Sequence, residues 1–202
     1  MSIMDLFEKK LSDVFNSIRT DEIERIQNLT YEELSGVIIT RYGEIRAKYG
    51  IEDCNILWDK KNVDLEMVVL SLDDMPNGYH LEPGGKDNFA PMVTYKYKIQ
   101  GNSSLLRYYS HSKPYHMGII KADEIHFQIQ SFHKTKNLPE NEKEKIRSER
   151  DRMISETKNN LKALKEATNS FFDKFAEWRR NEYDKELLRR DKLNDLKNDL
   201  LK

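Results

Sequence analysis

The best candidates for chemistry in this chain are an acid and two lysines in a row, Asp59, Lys60 and Lys61. Metal-dependent nucleases place an acid-x-lysine triplet of this kind on a strand, where an earlier carboxylate such as Asp53 would share the same Mg²⁺. Charged residues make up 34% of the chain, so such triplets arise by chance, and Asp59 is typical of a turn. We therefore predict no catalytic residue and expect that the chain is not an enzyme.

Histidines, cysteine and glycine-rich stretches give no stronger signal. His111 and His116 lie on either side of Pro114, which breaks helical ligand spacing, and Cys54 is distant from both. The stretch Pro83-Gly84-Gly85-Lys86 lacks the spacing of a phosphate-binding loop. We predict no metal site and no cofactor.

A surface for nucleic acid is suggested by tyrosines and basic residues that alternate between Val93 and Ile99. Single-strand binders stack bases on aromatic rings next to cations. In a strand, however, the tyrosines share one face with Val93 and Ile99 while the lysines take the other. Core tyrosines and a solvated lysine face explain the pattern without a ligand, so nucleic-acid binding is the alternative function. Its candidate contacts are Lys96, Lys98, Arg107, Arg179 and Arg180.

The last third of the chain carries the clearest pattern, because it has no glycine and, after Pro139, no proline. From Ile154 to Trp178, apolar residues and threonines recur alternately three and four apart, which is the heptad seam of a helix packed against another helix. A helix of this length spans about 90 Å, more than a domain of this size can cover. The aromatic cluster in the seam could dock on the chain's own N-terminal helices, on a second copy or on another protein. The predicted interface residues are Ile154, Leu161, Leu164, Phe171, Phe175, Trp178, Leu188 and Leu196.

After Trp178 the apolar residues resume out of phase at Leu187. Residues 179–184 are therefore where the helix is expected to kink, change partner or adjust its supercoil. Neither glycine nor proline occurs there, which favours a mostly continuous helix whose far end meets another chain.

Helical segments are predicted at the N-terminus. Amphipathic spacing from Ile3 to Ile18 predicts a first helix, and Thr20 starts a short second one. Thr30 and Glu33 form a predicted capping box. The helix that follows is expected to end near residues 49–50 and to bury Leu34, Val37, Ile38, Tyr42 and Ile45.

Alternating apolar and polar residues predict strands at 63–69, 93–99 and 125–129, with further ones at 105–110 and 79–82. His126 is expected on a solvated strand face. The strands are too close in sequence for helical crossovers, so they predict a small antiparallel sheet or sandwich. The expected fold class is α+β, with N-terminal helices in 1–50, an antiparallel β domain in 51–136 and a long coiled-coil-like arm in 137–202.

Composition narrows the cellular setting. The net charge is −1 with both signs interspersed, so no global field attracts nucleic acid or anionic lipid. No apolar run approaches the length of a membrane span, and the first residues do not resemble a signal peptide. The single Cys54 excludes an internal disulfide framework. These features predict a cytoplasmic protein without a membrane partner.

Five stretches in order carry a resemblance to a known family. They are residues 29–34 (LTYEEL), 105–110 (LLRYYS), 124–127 (EIHF), 179–180 (RR) and 187–191 (LLRRD). Their order resembles the N-terminal, non-catalytic region of large bacterial proteins whose C-terminal half is a PD-(D/E)xK-type nuclease domain, found among phage-defence genes. In that family the chain continues past the long helix into the nuclease half. The resemblance therefore implies that the family's catalytic residues have no counterparts in these 202 residues.

The predicted function is a non-catalytic assembly or regulatory module of a nuclease-type phage-defence effector. It would act through protein–protein association, with a homo-oligomer (dimer or higher) as the expected state and a nuclease domain or subunit as a further partner. The alternative is a nucleic-acid-binding module that uses the strand lysines and the helical arm.

Overall fold

The computed structural model describes residues 3–36, 42–69, 89–110, 113, 118–131 and 135–201. Within these ranges the fold is α+β, with N-terminal helices, an antiparallel sheet and one long C-terminal helix, as the sequence predicts. The strands are β1 (Ile3–Asp5), β2 (Lys9–Lys10), β3 (Cys54–Val69), β4 (Phe89–Gly101), β5 (Tyr108–Tyr109), β6 (Ile119–Lys121) and β7 (Glu124–Gln130). The helices are α1 (Leu11–Asn28), α2 (Tyr31–Ser35), α3 (Tyr42–Tyr49) and α4 (Glu140–Leu200).

Five strands form one antiparallel sheet in the order β1-β6-β7-β4-β3. Its inner strands are β6, β7 and β4, and the side chains of Tyr95 and Tyr97 on β4 are buried opposite Phe127 and Ile125 on β7. The lysines of β4 take the other face, as the alternation predicts. His126 was expected to be solvated and is instead buried, because β7 is an inner strand with Lys96 and Ile119 beside the histidine on its two neighbours.

The N-terminus differs from the expected helix. Residues 3–5 pair with β6, and residues 9–10 pair with β5 in a separate two-stranded parallel ribbon. Between them Phe7 adopts a positive φ of 56° and is fully buried, and its amide donates to the carbonyl of Leu106. Strand pairing with distant segments therefore overrides the helical spacing of Ile3, Leu6 and Phe7.

The helix α1 runs without a break through the position where a second helix was expected to begin. Thr20 does not cap a new helix, because its hydroxyl donates to the carbonyl of Asn16 one turn earlier. The predicted capping box is present at α2: the amide of Glu33 donates to the Thr30 hydroxyl, and the amide of Thr30 donates to the Glu33 carboxylate.

The predicted helix after Thr30 appears as two described helices, α2 and α3. Leu34 is buried, whereas Tyr42 and Ile45 are half-buried and Val37 and Ile38 lie outside the described residues. Gly50 ends α3 with a φ of 64°, which is the left-handed conformation expected at this position.

Two other predicted strands have different outcomes. Residues 103–107 form a 3₁₀ turn, so only Tyr108–Tyr109 of the predicted strand 105–110 is extended. Asn102 stabilises that turn by accepting a hydrogen bond from the amide of Ser104. The strand predicted at 79–82 lies outside the described residues.

A single helix, α4, covers the whole arm and packs along the sheet and along α1. Its 61 residues correspond to a length of about 90 Å. One core cluster contains buried residues from all three predicted segments, for example Leu11, Tyr97 and Phe175. The sheet and the helices are therefore held together by a shared interior.

Candidate interaction surface

The aromatic part of α4 packs against the N-terminal helices of the same chain. The ring of Phe171 stacks on Phe15 of α1 with 4.2 Å between centroids, and Phe172 meets Tyr42 of α3 edge-on at 5.4 Å. Arg19 also lies over the Phe171 ring at 5.6 Å. Of the docking partners left open by the sequence, the chain's own helices are the ones in contact.

Most of the predicted interface residues therefore have neighbours within the chain. Leu161, Leu164, Phe171 and Phe175 are buried in the common core. Ile154 and Trp178 are partly buried against that core, whereas Leu188 and Leu196 are exposed. Of the predicted interface residues, Leu188 and Leu196 are therefore the ones whose side chains are exposed to another chain.

Beyond Trp178 the buried face of α4 becomes charged. Arg179 is almost fully buried, and its Nε donates to the carboxylate of Glu22 on α1 at 2.5 Å. Arg25 also donates to Glu22, through Nε at 3.0 Å and a terminal nitrogen at 2.7 Å. Both arginines donate to the hydroxyl of Tyr183, which packs with Ile26. We call Glu22, Arg25, Arg179 and Tyr183 the buried charge cluster.

A second set of polar contacts follows one turn later. Arg189 and Arg190 donate to Glu186, with distances of 2.6 to 2.8 Å. Arg190 also donates hydrogen bonds to the backbone carbonyls of Leu29 and Gln27, at 2.6 and 2.9 Å. The hydrogen bonds from the arginines lower the pKa of Glu186 to about 2. The helix α4 therefore continues unbroken through 179–184, and the contacts of its buried face change there from apolar to polar.

The last turns of α4 carry exposed leucines. Leu193, Leu196 and Leu200 are spaced three and four apart, so they share one side of the helix, and their exposed fractions lie between 52% and 79%. We call these three residues the leucine stripe. Leu188 and Leu201 are also exposed, but helical geometry directs them to either side of the stripe.

Strand β3 has an irregular start and an exposed outer half. Three extra residues, Trp58, Asp59 and Lys60, bulge between Leu57 and Lys61. The bulge directs Trp58 toward the interior, where its ring is parallel to that of Phe127 and Lys158 of α4 lies 5.3 Å from it.

Past the bulge, β3 is an edge strand. Val63 and Leu65 stand opposite Tyr95 and Val93, on the same face of the sheet, but 46% and 41% of their surfaces are exposed. The sequence predicts this face to be half-buried. Among the described residues, α4 packs on the inner strand β7 rather than on this part of the edge strand, which leaves Val63 and Leu65 exposed.

The candidate contacts for nucleic acid do not form one surface. Arg179 belongs to the buried charge cluster, Lys96 is paired with Asp64, and Arg107 donates to Glu8 at 3.4 Å. Lys98 and Arg180 are exposed on β4 and α4.

The candidate chemical residues are also separated. Asp53 and Asp59 are both exposed, before and within the bulge of β3. Across the described ranges, no three His, Cys, Asp or Glu residues group together so as to hold a metal ion. Burial raises the pKa of the Cys54 thiol to about 11, which makes it unreactive at neutral pH. Nor is any described helix long and apolar enough to cross a membrane.

Sequence reasoning missed the buried charge cluster. Glu22 was expected at the N-terminal end of a short helix, whereas it lies in the middle of α1. A signal existed in the spacing: Phe175, Arg179, Tyr183 and Glu186 continue the three-and-four rhythm of the buried face. The residues at those positions are too polar to be recognised as a seam without their partner.

No protein-family model, curated protein or solved structure matches the chain.

Proposed function

We propose that this chain is a non-catalytic association module of a nuclease-type phage-defence effector, and that α4 is the element that joins two copies. The observation that carries the proposal is the leucine stripe. The chain's own core uses the apolar seam as far as Trp178, yet three leucines in helical register remain exposed beyond it. Exposed leucines at heptad spacing are typical of a helix that packs on a partner helix.

The charges beside the stripe favour a second copy in antiparallel orientation. With Leu193 and Leu200 at a positions and Leu196 at d, Lys192 and Asp199 occupy g positions and Lys197 an e position. A parallel pair would place Lys192 against Lys197 of the second copy, twice. An antiparallel pair instead places Lys192 against Asp199 of the second copy, twice.

Arg190 occupies the other e position and would face Lys197 of the second copy in the antiparallel pair. Its guanidinium is held by Glu186 and by the carbonyls of Leu29 and Gln27. The positive charge of Arg190 is therefore directed away from the stripe and from Lys197 of the second copy. The antiparallel arrangement keeps its two favourable pairs between Lys192 and Asp199.

The stripe alone predicts weak association. It covers two to three turns of each helix, far below the contact area of about 1,200 Å² at which stable interfaces begin. We expect dimerisation at high micromolar concentration, which a longer effector assembly would strengthen through multivalency.

Light scattering across a concentration series tests the proposal. Leu193→Lys with Leu196→Lys should remove the part of the concentration-dependent rise in mass that the leucine stripe causes. The control Leu188→Lys is equally exposed on the same helix but lies off the stripe, and it should behave as the wild type. A wild type that stays monomeric at high micromolar concentration would contradict self-association. Sequencing the flanking DNA addresses the effector itself: a PD-(D/E)xK nuclease in frame with the chain or adjacent to it is the expected result.

A further inference from the structure

The outer edge of β3 is unpaired among the described residues, since the strand hydrogen-bonds with β4 on its inner side and stands last in the sheet order. Its exposed side chains include Val63, Leu65 and Val69, and Phe89 next to them on β4 is 40% exposed. Such an edge offers a row of free amides and carbonyls beside an apolar strip, which is the usual template for adding another strand.

One hydrogen bond shows which backbone groups point outward. The amide of Val63 donates to the side-chain oxygen of Asn62 at 2.9 Å instead of to a carbonyl of β4. Because alternate residues of an antiparallel strand direct their amides and carbonyls to opposite sides, Leu65 and Met67 also face outward. The residues with exposed apolar side chains are therefore the ones whose backbone groups face no partner strand among the described residues.

The charges along this edge change sign from one end to the other. Lys60, the last residue of the bulge, and Lys61 stand at its start, and Asp64 and Glu66 follow. An antiparallel copy of the same strand places the basic start against the acidic part, whereas a parallel copy would place like charges together.

We propose that β3 pairs with β3 of a second copy about a two-fold axis, joining the two sheets into one. The axis passes through Val63, which faces Val63 of the second copy. This register pairs outward-facing backbone groups with each other and sets Lys60 opposite Glu66 of the second copy. Symmetry repeats the ion pair, so the interface contains it twice.

This register also places compatible side chains next to each other on the face of the joined sheet that carries Val63 and Leu65. Residues opposite each other share a face, so the apolar strip of Val63 and Leu65 meets the same strip of the second copy. Lys61 faces Leu65 and can lie along it with its aliphatic stem. Moving the axis by one residue, to Asp64, would place two aspartates face to face. The pairing forms about six main-chain hydrogen bonds and requires only that the Asn62 side chain release the Val63 amide.

The proposal does not rest on the leucine stripe, because β3 and the stripe are different surfaces. The two are separated experimentally by making the β3 variants in a chain that already carries Leu193→Lys and Leu196→Lys. Sedimentation velocity over a concentration series then reports β3 pairing alone.

Charge reversal gives the sharpest test. In that background, Lys60→Glu should place Glu against Glu66 twice, and Glu66→Lys should place Lys against Lys60 twice. Each variant alone should therefore be monomeric. An equimolar mixture of the two should form a heterodimer, because both ion pairs are then restored, one with its original polarity and one with its polarity reversed. The double variant in one chain should dimerise as its parent does, and the control Lys98→Glu, an exposed lysine on β4, should change nothing.

A proline substitution tests the backbone part. Leu65→Pro removes one outward-facing amide, which an edge strand tolerates while a newly paired strand does not. The variant should keep the parent's circular dichroism spectrum and lose the dimer. A parent that is monomeric throughout the series would overturn the proposal. A dimer that persists in each of the two single charge-reversal variants would also overturn it. So would an equimolar mixture of these two variants that remains monomeric.

Discussion

Replacing Glu22 by alanine would test how the charged part of the α1–α4 contact is held together. The Glu22 carboxylate accepts hydrogen bonds from Arg179 and Arg25, and it is only 8% exposed. Arg179 is buried as well, whereas about two fifths of the Arg25 side chain reaches solvent. The two arginines should therefore respond differently when the carboxylate is lost.

The expected cost follows from what is left behind. Glu22→Ala leaves the Arg179 guanidinium buried without its carboxylate, and losing one partner of a buried ion pair costs about 3–5 kcal/mol. Arg25 can turn toward water, so its share is that of a surface pair, roughly 0–1 kcal/mol. Domains of this kind are stable by about 5–15 kcal/mol, so the variant should lose a large part of its free energy of unfolding.

Substitutions of Arg179, the buried partner of Glu22, separate the cost of a buried charge from the cost of lost packing. Arg179→Met removes the buried cation while Glu22 keeps Arg25, so it should cost less than Glu22→Ala. Replacing both residues, with Glu22→Leu and Arg179→Met, should also cost less than Glu22→Ala alone, because no buried guanidinium that has lost its carboxylate remains.

Urea unfolding followed by circular dichroism measures these differences. The control Glu24→Ala changes an exposed carboxylate on the same helix and should stay within about 0.5 kcal/mol of the wild type. If Glu22→Ala is no more destabilising than Glu24→Ala, or if the double replacement is the worst of the set, the buried charge cluster does not hold α4 as described.

Three shorter predictions concern other parts of the molecule. Because the folded state depresses the pKa of Glu186 to about 2, its ionised form stabilises the fold above the ordinary glutamate range and this stability is lost as the pH falls from there toward 2. Glu186→Gln should flatten the dependence of the unfolding free energy on pH in that window. Thr30→Ala removes the cap of α2 and should lower the unfolding free energy by about 1 kcal/mol, whereas Thr30→Ser should change it little. In fluorescence anisotropy the chain should show no tight, steeply salt-dependent binding to DNA or RNA, and submicromolar binding lost on Lys96→Ala with Lys98→Ala would contradict this.

Patterns that are complete within one segment were predicted correctly. The alternation of Val93 to Ile99 places Tyr95 and Tyr97 in the core, and the absence of glycine and proline after Pro139 gives one continuous helix. The capping box of Thr30 is equally local. Each of these features depends on residues a few positions apart, so the sequence of that one segment is enough to predict it.

Features that depend on segments far apart in the chain could not be predicted from one segment alone. Ile3, Leu6 and Phe7 have helical spacing, but pairing with β6 and β5 at residues 108–121 decides their conformation. Phe171 and Phe175 are typical of an interface, and only the position of α1 shows that their partner lies in the same chain. The apolar alternation of β3 predicts burial, yet the sequence cannot tell an edge strand from an inner one.

The two proposed surfaces have a joint consequence for assembly. The part of α4 that packs on the sheet, near Met153, and the leucine stripe are separated by about forty residues of helix, or about 60 Å. A second copy at β3 would therefore leave the stripe free for a third chain. Two different two-fold contacts on one chain give a closed tetramer if their axes intersect at right angles, and an open filament if they do not intersect. Light scattering of the wild type should then show masses above a dimer that grow with concentration. Leu193→Lys with Leu196→Lys, or Lys60→Glu alone, should each stop growth at the dimer, and all three changes together should give the monomer. A wild type that saturates at the dimer would mean that one of the two surfaces is not used.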